Sequence, residues 1–337
     1  MIFEKVYGID LGNSSVKIIS GTPGSVYTEK NIIASKGREI IAVGDEAYAM
    51  LGKQPMDIRV KSPMAFGMIA ELELQEIVLY TMFNRMGNTQ GLRSVIYFTA
   101  PPDMSSIEKR AYYYVANGHW MRQNKVFLVD SPMAEAIALD INPDDTTGNM
   151  IVNIGSESTS FAIIADGRII ISRKLQTGGK QITDAICAEI RGTHHLQIGY
   201  ITGRKLKNEL GSLKDDETKG LKVIGIDSVS GLPREEMITS DVVRVGILNS
   251  LSGLASEMKT FLERIPPQIA MHIKKEGIYL TGGTARLPEL HQYLADYTGF
   301  AFNLPNIYEK SCITGLGKII ENKELHRFAL PVSERRL

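Results

Sequence analysis

Gly8-Ile9-Asp10-Leu11-Gly12-Asn13-Ser14-Ser15-Val16-Lys17 is the stretch whose reading decides the fold. An alternating run enters a Gly-Asn-Ser-Ser turn and leaves through Val16-Lys17-Ile18-Ile19, the pattern of a β-hairpin rather than a helix. Glycine lets the backbone turn tightly and approach a ligand, so successive N–H groups can converge on phosphate oxygens. Asp10, just before the turn, is placed to hold Mg²⁺ through water, and Lys17 to bring a point charge to the same phosphates.

Two later segments extend the pattern. Ile151-Val152-Asn153-Ile154-Gly155-Ser156-Glu157-Ser158-Thr159 repeats the layout with Phe161 to Ile164 as its outgoing strand, but carries Asn153 in place of Asp10 and Ser156-Glu157 at the tip. Ile278-Tyr279-Leu280-Thr281-Gly282-Gly283-Thr284-Ala285 is the third. After it Leu290, Tyr293, Leu294 and Tyr297 recur at helical spacing. A glycine pair where a strand becomes a helix suits a flat base or ribose. Each signal alone is weak, but their order and separation describe a duplicated phosphate clamp plus a third glycine turn. No Gly-x-x-x-x-Gly-Lys-Ser/Thr follows a strand, and no Gly-x-Gly-x-x-Gly opens a helix.

The set resembles the actin-like ATPase superfamily, and further stretches resemble the bacterial MreB family. Met64-Ala65-Phe66-Gly67-Met68-Ile69-Ala70, Glu108-Lys109-Arg110-Ala111 and Val126-Phe127-Leu128-Val129-Asp130-Ser131-Pro132-Met133-Ala134-Glu135-Ala136-Ile137 are similar to segments of that family. So are Ile198-Gly199 through Lys207-Asn208-Glu209-Leu210-Gly211-Ser212 and Ser230-Gly231-Leu232-Pro233. The resemblance runs from about residue 6 to about 320. It implies an α/β actin-like ATPase fold: two ribonuclease-H-like domains with a nucleotide cleft between them, each with a small inserted subdomain. The first domain would span 1–145 with an insertion at about 31–74, and the second 146–337 with an insertion at about 180–240. Thr146-Thr147-Gly148-Asn149 is the turn cluster at their boundary.

The resemblance further implies ATP or ADP with Mg²⁺ as cofactor. Its contacts would come from Asp10, Gly12, Asn13, Ser14, Ser15 and Lys17 in the first loop, with Asp10 reaching the metal through water. Gly155, Ser156, Glu157 and Ser158 would serve in the second loop, Arg204, Lys205 and Lys207 in the adenosine-closing helix, and Gly282, Gly283, Thr284 and Ala285 in the third turn. Head-to-tail filaments, a role in cell shape, and contact with membrane-associated shape or wall-synthesis proteins are also implied.

Departures limit what carries over. Ser131 and Asn153 stand where the family has carboxylates that orient the attacking water and the metal, which leaves the catalytic residues unassigned and implies slow or absent hydrolysis. Asp130 is the candidate substitute, although a one-residue shift at a strand end turns the side chain to the other face. Glu157, replacing a glycine, would repel a triphosphate, turn outward, or join the metal shell. Arg204-Lys205-Leu206-Lys207 replaces the family's Glu-Glu-Ile-Lys, so Lys207 matches and Lys205 does not.

Composition agrees with a cytoplasmic chain. Of 337 residues 43% are apolar, Lys+Arg and Asp+Glu are both 38, and no global field draws the chain to nucleic acid or anionic lipid. Cys187 and Cys312 have no partner motif, and neither a signal peptide nor a membrane-spanning stretch is present. Weak peripheral contact with the inner membrane face is left to Ile2-Phe3 and the Met86–Arg93 loop, with Met86 and Leu92. Lys214 to Gly220 reads as a solvated loop, His194-His195 as a surface or capping pair, and Tyr112-Tyr113-Tyr114 near Trp120 as core with one exposed tyrosine. A non-polymerising scaffold with a degenerate site is the competing function. A small-molecule kinase fits worse, because no aspartate supplies its base.

Overall fold

In the computed structural model, the structure describes residues 5–20, 25–87, 94–119, 121, 123–214 and 218–333. The strands of its two larger sheets are β1 (Lys5–Leu11), β2 (Ser15–Ser20), β3 (Val26–Lys30), β4 (Ser94–Ala100), β5 (Lys125–Asp130), β6 (Asn149–Ile154), β7 (Thr159–Ala165), β8 (Arg168–Leu175), β9 (Ile278–Thr281), β10 (Phe302–Asn303) and β11 (Ala329–Val332). The helices used below are α1 (Leu72–Arg85), α2 (Ser106–Asn117), α3 (Ser131–Ala138), α4 (Gly179–His194), α5 (Tyr200–Leu210), α6 (Ser240–Leu262), α7 (Leu290–Thr298) and α8 (Ser311–Glu321). Short stretches Gly283–Arg286 and Lys323–Phe328 are 3₁₀-helical.

The described chain gathers into two compact units. One takes residues of Met1–Ile151, Ala162–Ser172 and Glu309–Leu337; the other takes Val152–Phe161 and Arg173–Tyr308. The first holds a six-stranded sheet in the order β11-β5-β4-β1-β2-β3. Its centre is parallel, β1 with β4 and β4 with β5, whereas β1-β2, β2-β3 and β5-β11 are antiparallel. Ala329–Val332 returns as an edge strand against β5. Nothing local to a four-residue run announces so distant a pairing.

Register sorts the sheet's two faces. Ile9, Leu11, Ile96, Phe98 and Leu128 share one buried cluster with Val78, Leu79 and Met82 of α1 and Tyr112 and Val115 of α2. Fully burying such side chains contributes about 1.5–3 kcal/mol each. On the other face α8 packs so close that a Cβ on Gly8 would lie 2.9 Å from Ile320. Tyr112 is buried and Tyr114 exposed, whereas Trp120 falls outside the described residues.

A five-stranded sheet in the order β8-β7-β6-β9-β10 carries the second glycine loop between β6 and β7. In the second unit α4 and α6 approach so tightly that a Cβ on Gly246 would come 2.7 Å from Ile186 Cα, and Phe161 meets Phe261 at 5.5 Å between ring centres. His194 ends α4 and His195 caps it in the left-handed conformation, φ 52°. Small three-stranded sheets lie within both predicted insertions, at Ile33–Lys36, Glu39–Val43 and Ile58–Lys61, and at Leu196–Gln197, Gly220–Asp227 and Pro233–Thr239. No described helix is long and apolar enough to cross a membrane. Cys187 and Cys312 are free thiols.

Candidate functional site

The β1-β2 register builds the first half of the site. Asp10 opposes Lys17 across the hairpin and Thr99 across β4, so the three side chains share one face. Lys17 Nζ donates to Asp10 Oδ2 at 2.9 Å, and Thr99 Oγ1 donates to Asp10 Oδ1 at 2.7 Å. Burial pulls the Lys17 ammonium down, but the charge and hydrogen bond of Asp10, with Cys312 and Glu309 nearby, outweigh it and hold the lysine above its ordinary value.

The turn itself is tied by its carbonyls. Gly12 N–H donates to Ser15 O at 3.0 Å. Asn31 donates through Nδ2 to Gly12 O and through its backbone N–H to Ser14 O, and Ser62 Oγ donates to Asn13 O. A trans peptide sends its N–H opposite its C=O. With the carbonyls of Gly12, Asn13 and Ser14 engaged by the protein, the N–H groups of Asn13, Ser14 and Ser15 are directed the other way, as an anion nest requires. The Asn13 side chain is not aimed at that nest: its Oδ1 accepts from Gly67 N at 2.6 Å.

The second loop repeats this geometry. Gly155 N–H donates to Ser158 O at 2.9 Å. A Cβ on Gly12 would meet Ser15 O at 3.0 Å, and one on Gly155 would meet Ser158 O at 3.0 Å. Gly155 O accepts from Thr284 Oγ1 at 2.8 Å and Gly179 N at 3.0 Å, and Ser156 O accepts from Lys180 N at 2.7 Å. The N–H groups of Ser156 and Glu157 therefore face away from those anchors. The Glu157 carboxylate pairs with Lys180 Nζ at 3.0 Å.

The glycine turn after β9 closes on this loop. Gly282 has φ +87°, where a Cβ would fall 2.5 Å from Ile154 O, while Gly283 opens onto free space. Gly282 N–H donates to Tyr308 O at 2.9 Å, and Ala285 N–H donates to Gly282 O at 3.0 Å, burying Ala285. Lys207 Nζ donates to Gly179 O. Burial, together with the charges of Arg204 and Arg286 and against that of Asp184, pushes Lys207 down to about 8. Lys205 is exposed on another face of α5, whereas Lys207 reaches Gly179 and Arg204 lies near enough to act on its charge.

Neither hydrolytic position carries a base. Ser131 opens α3 and gives its hydroxyl to Ala100 O at 3.0 Å, and Asn153 is a neutral amide whose Oδ1 would lie 2.6 Å from a Cβ on Gly282. Asp130 pairs in register with Ala100, one residue out of step with Thr99 and Val129, and so lies on the face opposite Asp10. There it keeps solvent contact but is crowded by protein, which pushes its carboxyl up to about 6 against Lys109 and with Asp103. The one-residue shift thus leaves Asp130 and Asp10 on opposite faces of the sheet. A Mg²⁺ ion would be held mainly by phosphate oxygens and water, with Asp10 in support; among the described residues no three His, Cys, Asp or Glu side chains gather as a cage.

Asn31, Gln75, Thr99, Gly178, Gly179 and Lys180 were not legible as site residues. The glycine pair before α4 was the available signal, since a Cβ on Gly178 would strike Gly155 O at 2.7 Å. Asn31 and Gln75 form a buried amide pair, 3.1 and 3.3 Å, with no sequence pattern to mark it.

Comparison with known proteins places this geometry. MreB 5 of Spiroplasma citri, solved bound to AMPPNP, is 28% identical over 97% of this chain and 98% of its own, with a TM-score of 0.87, and carries the expected actin-like fold. The double helical filament of MamK, at 16% identity and a TM-score of 0.77, shares the fold. Among curated relatives, the cell shape-determining protein Mbl of Bacillus subtilis is 31% identical over 88% of this chain and 89% of its own length. MreB of Escherichia coli K12 is 29% identical over 96% of each. A family model described as MreB/Mbl protein matches residues 4–327, and the chain belongs to the MreB/Mbl family.

Proposed function

We propose that this chain is a cytoskeletal protein that binds ATP or ADP with Mg²⁺, assembles into filaments and contributes to cell shape, with slow or absent hydrolysis. The observation that carries the reading is the matched pair of loops, in which Gly12 to Ser15 and Gly155 to Ser158 close the same turn at 3.0 and 2.9 Å and anchor their carbonyls away from the amides. Relatives point the same way: MreB5 of Spiroplasma citri has been solved with AMPPNP and with ADP, and MamK as a double helical filament. Mg²⁺ is included because a nucleotide's phosphates need neutralising and Asp10 stands at the first loop to support a hydrated cation. We place the protein in the cytoplasm with weak peripheral contact at the membrane, where shape or wall-synthesis proteins are its partners.

Electron microscopy of the purified chain with Mg-ATP, with Mg-ADP, without nucleotide and as Asp10→Ala tests the proposal. Filaments that require nucleotide and disappear in Asp10→Ala support it; monodisperse particles throughout favour the scaffold. Restoring carboxylates in Ser131→Glu/Asn153→Asp should raise phosphate release at least about tenfold, a small part of what base and metal positioning supply. An unchanged rate removes those two positions as the reason for slow turnover.

A further inference from the structure

Beside the second loop lies a group of cations that a 5′-polyphosphate alone does not explain. Arg204, Lys207 and Asn208 fall at i, i+3 and i+4 on one face of α5. Arg286, on the 3₁₀ turn, donates through Nη2 to Asn208 Oδ1 at 2.7 Å, which brings its guanidinium to that face. Lys207 is anchored on Gly179 O, and Gly179 N–H is in turn bonded to Gly155 O. The chain of contacts therefore runs outward from the phosphate loop through Gly179 to Lys207 and its two arginine neighbours. Gly283 is exposed, and a Cβ placed on it would meet nothing within 4 Å, which leaves an open shelf next to Arg286.

The electrostatics make the group a receptor for negative charge. Lys207 is pushed down to about 8 by burial and by Arg204 and Arg286, with Asp184 the carboxylate that opposes them. Arg204 and Arg286 lie near enough to Lys207 for their charges to help lower its proton affinity, so a phosphate bound there would meet several cationic donors. Guanidinium groups suit phosphate, which they bind through paired N–H donors.

We propose that Arg204, Lys207 and Arg286 form a second anion subsite, through which this chain prefers nucleotides carrying a ribose phosphate in addition to the 5′ chain. A nucleotide whose 5′-phosphates sit on the amides of Ser156 and Glu157 and whose ribose crosses the Gly283 shelf presents its 2′ or 3′ oxygen to these cations. The assignment rests on the nucleotide reading above.

Isothermal titration of the whole chain with AMP, adenosine 2′,5′-bisphosphate and adenosine 3′,5′-bisphosphate at fixed ionic strength, with ADP as reference, tests it. At least one bisphosphate should bind about tenfold or more tightly than AMP, the scale of one charge-assisted contact. That ratio should fall toward one in Arg286→Ala and in Arg204→Ala, and Arg286→Lys should keep part of it. Bisphosphates no tighter than AMP while ADP binds overturn the subsite and leave the nucleotide reading standing. A gain that survives both alanine variants overturns it as well, and failure of every nucleotide to bind overturns both.

Discussion

The Asp10–Lys17 pair sits with side chains only 15% and 16% exposed, so each charge depends on the other. Lys17→Met should therefore lower unfolding stability by about 3 kcal/mol, because it strands a largely desolvated carboxylate, whereas Thr99→Val, which removes a single neutral donor, should lose about 1 kcal/mol. Urea denaturation of the two variants checks the order. Asp10 and Lys17 could be found from sequence because a hairpin fixes their opposition; Thr99, 89 residues from Asp10, could not. Lys207 carries a pH prediction. Its folded value near 8 is below its ordinary 10.5, so the unfolded chain holds more protons between those limits and stability should rise with pH across that window. The gain is on the order of 3 kcal/mol at most and should be missing in Lys207→Met, as denaturation at pH 7.5 and pH 10 would show. A bound phosphate returns the proton, so nucleotide binding near pH 9 should take one up, read from calorimetry in buffers of different ionisation enthalpy.

Between elements, α8 packs tightly against α3 in the first unit. A Cβ on Gly315 would lie 1.7 Å from Ala134 O, and Lys318, one turn on, donates to the carbonyls of Ile137 and Ala138 that end α3. Gly315→Ala must push the helices apart and should lose about 3 kcal/mol or more, the upper range of overpacking. Gly253→Ala on α6 meets nothing within 4 Å and should instead gain about 0.5–1 kcal/mol from helix propensity. Thermal unfolding of the two variants should move in opposite directions. The contrast explains what was legible at this scale. The β1-β2 hairpin and the helix after Gly282-Gly283 were readable because period and turn residues are local signals. The interleaving of α3 with α8, and the return of β11 to β5, depend on partners more than 170 residues away, as Ser311 and Glu135 are at 176, and no local pattern encodes them.

For the molecule as a whole, 38 basic and 38 acidic residues leave no net charge with which to seek an anionic surface. The apolar residues named for lipid contact offer little more: Met86 packs partly buried against the core of the first unit, and Ile2, Phe3 and Leu92 lie outside the described residues. Burying two such apolar side chains in lipid would contribute only a few kcal/mol, roughly the scale of marginal, reversible membrane binding. Protein without nucleotide should therefore pellet weakly with vesicles, and to the same extent whether they are zwitterionic or half phosphatidylglycerol. Under conditions that support assembly the bound fraction should rise steeply, because a filament repeats one weak contact along its length and the repeats act together. Sedimentation with both vesicle types, with and without Mg-ATP, separates these cases. Binding by unassembled protein that climbs with anionic lipid and collapses in salt would mean that a local basic patch, not avidity, attaches this chain to membranes.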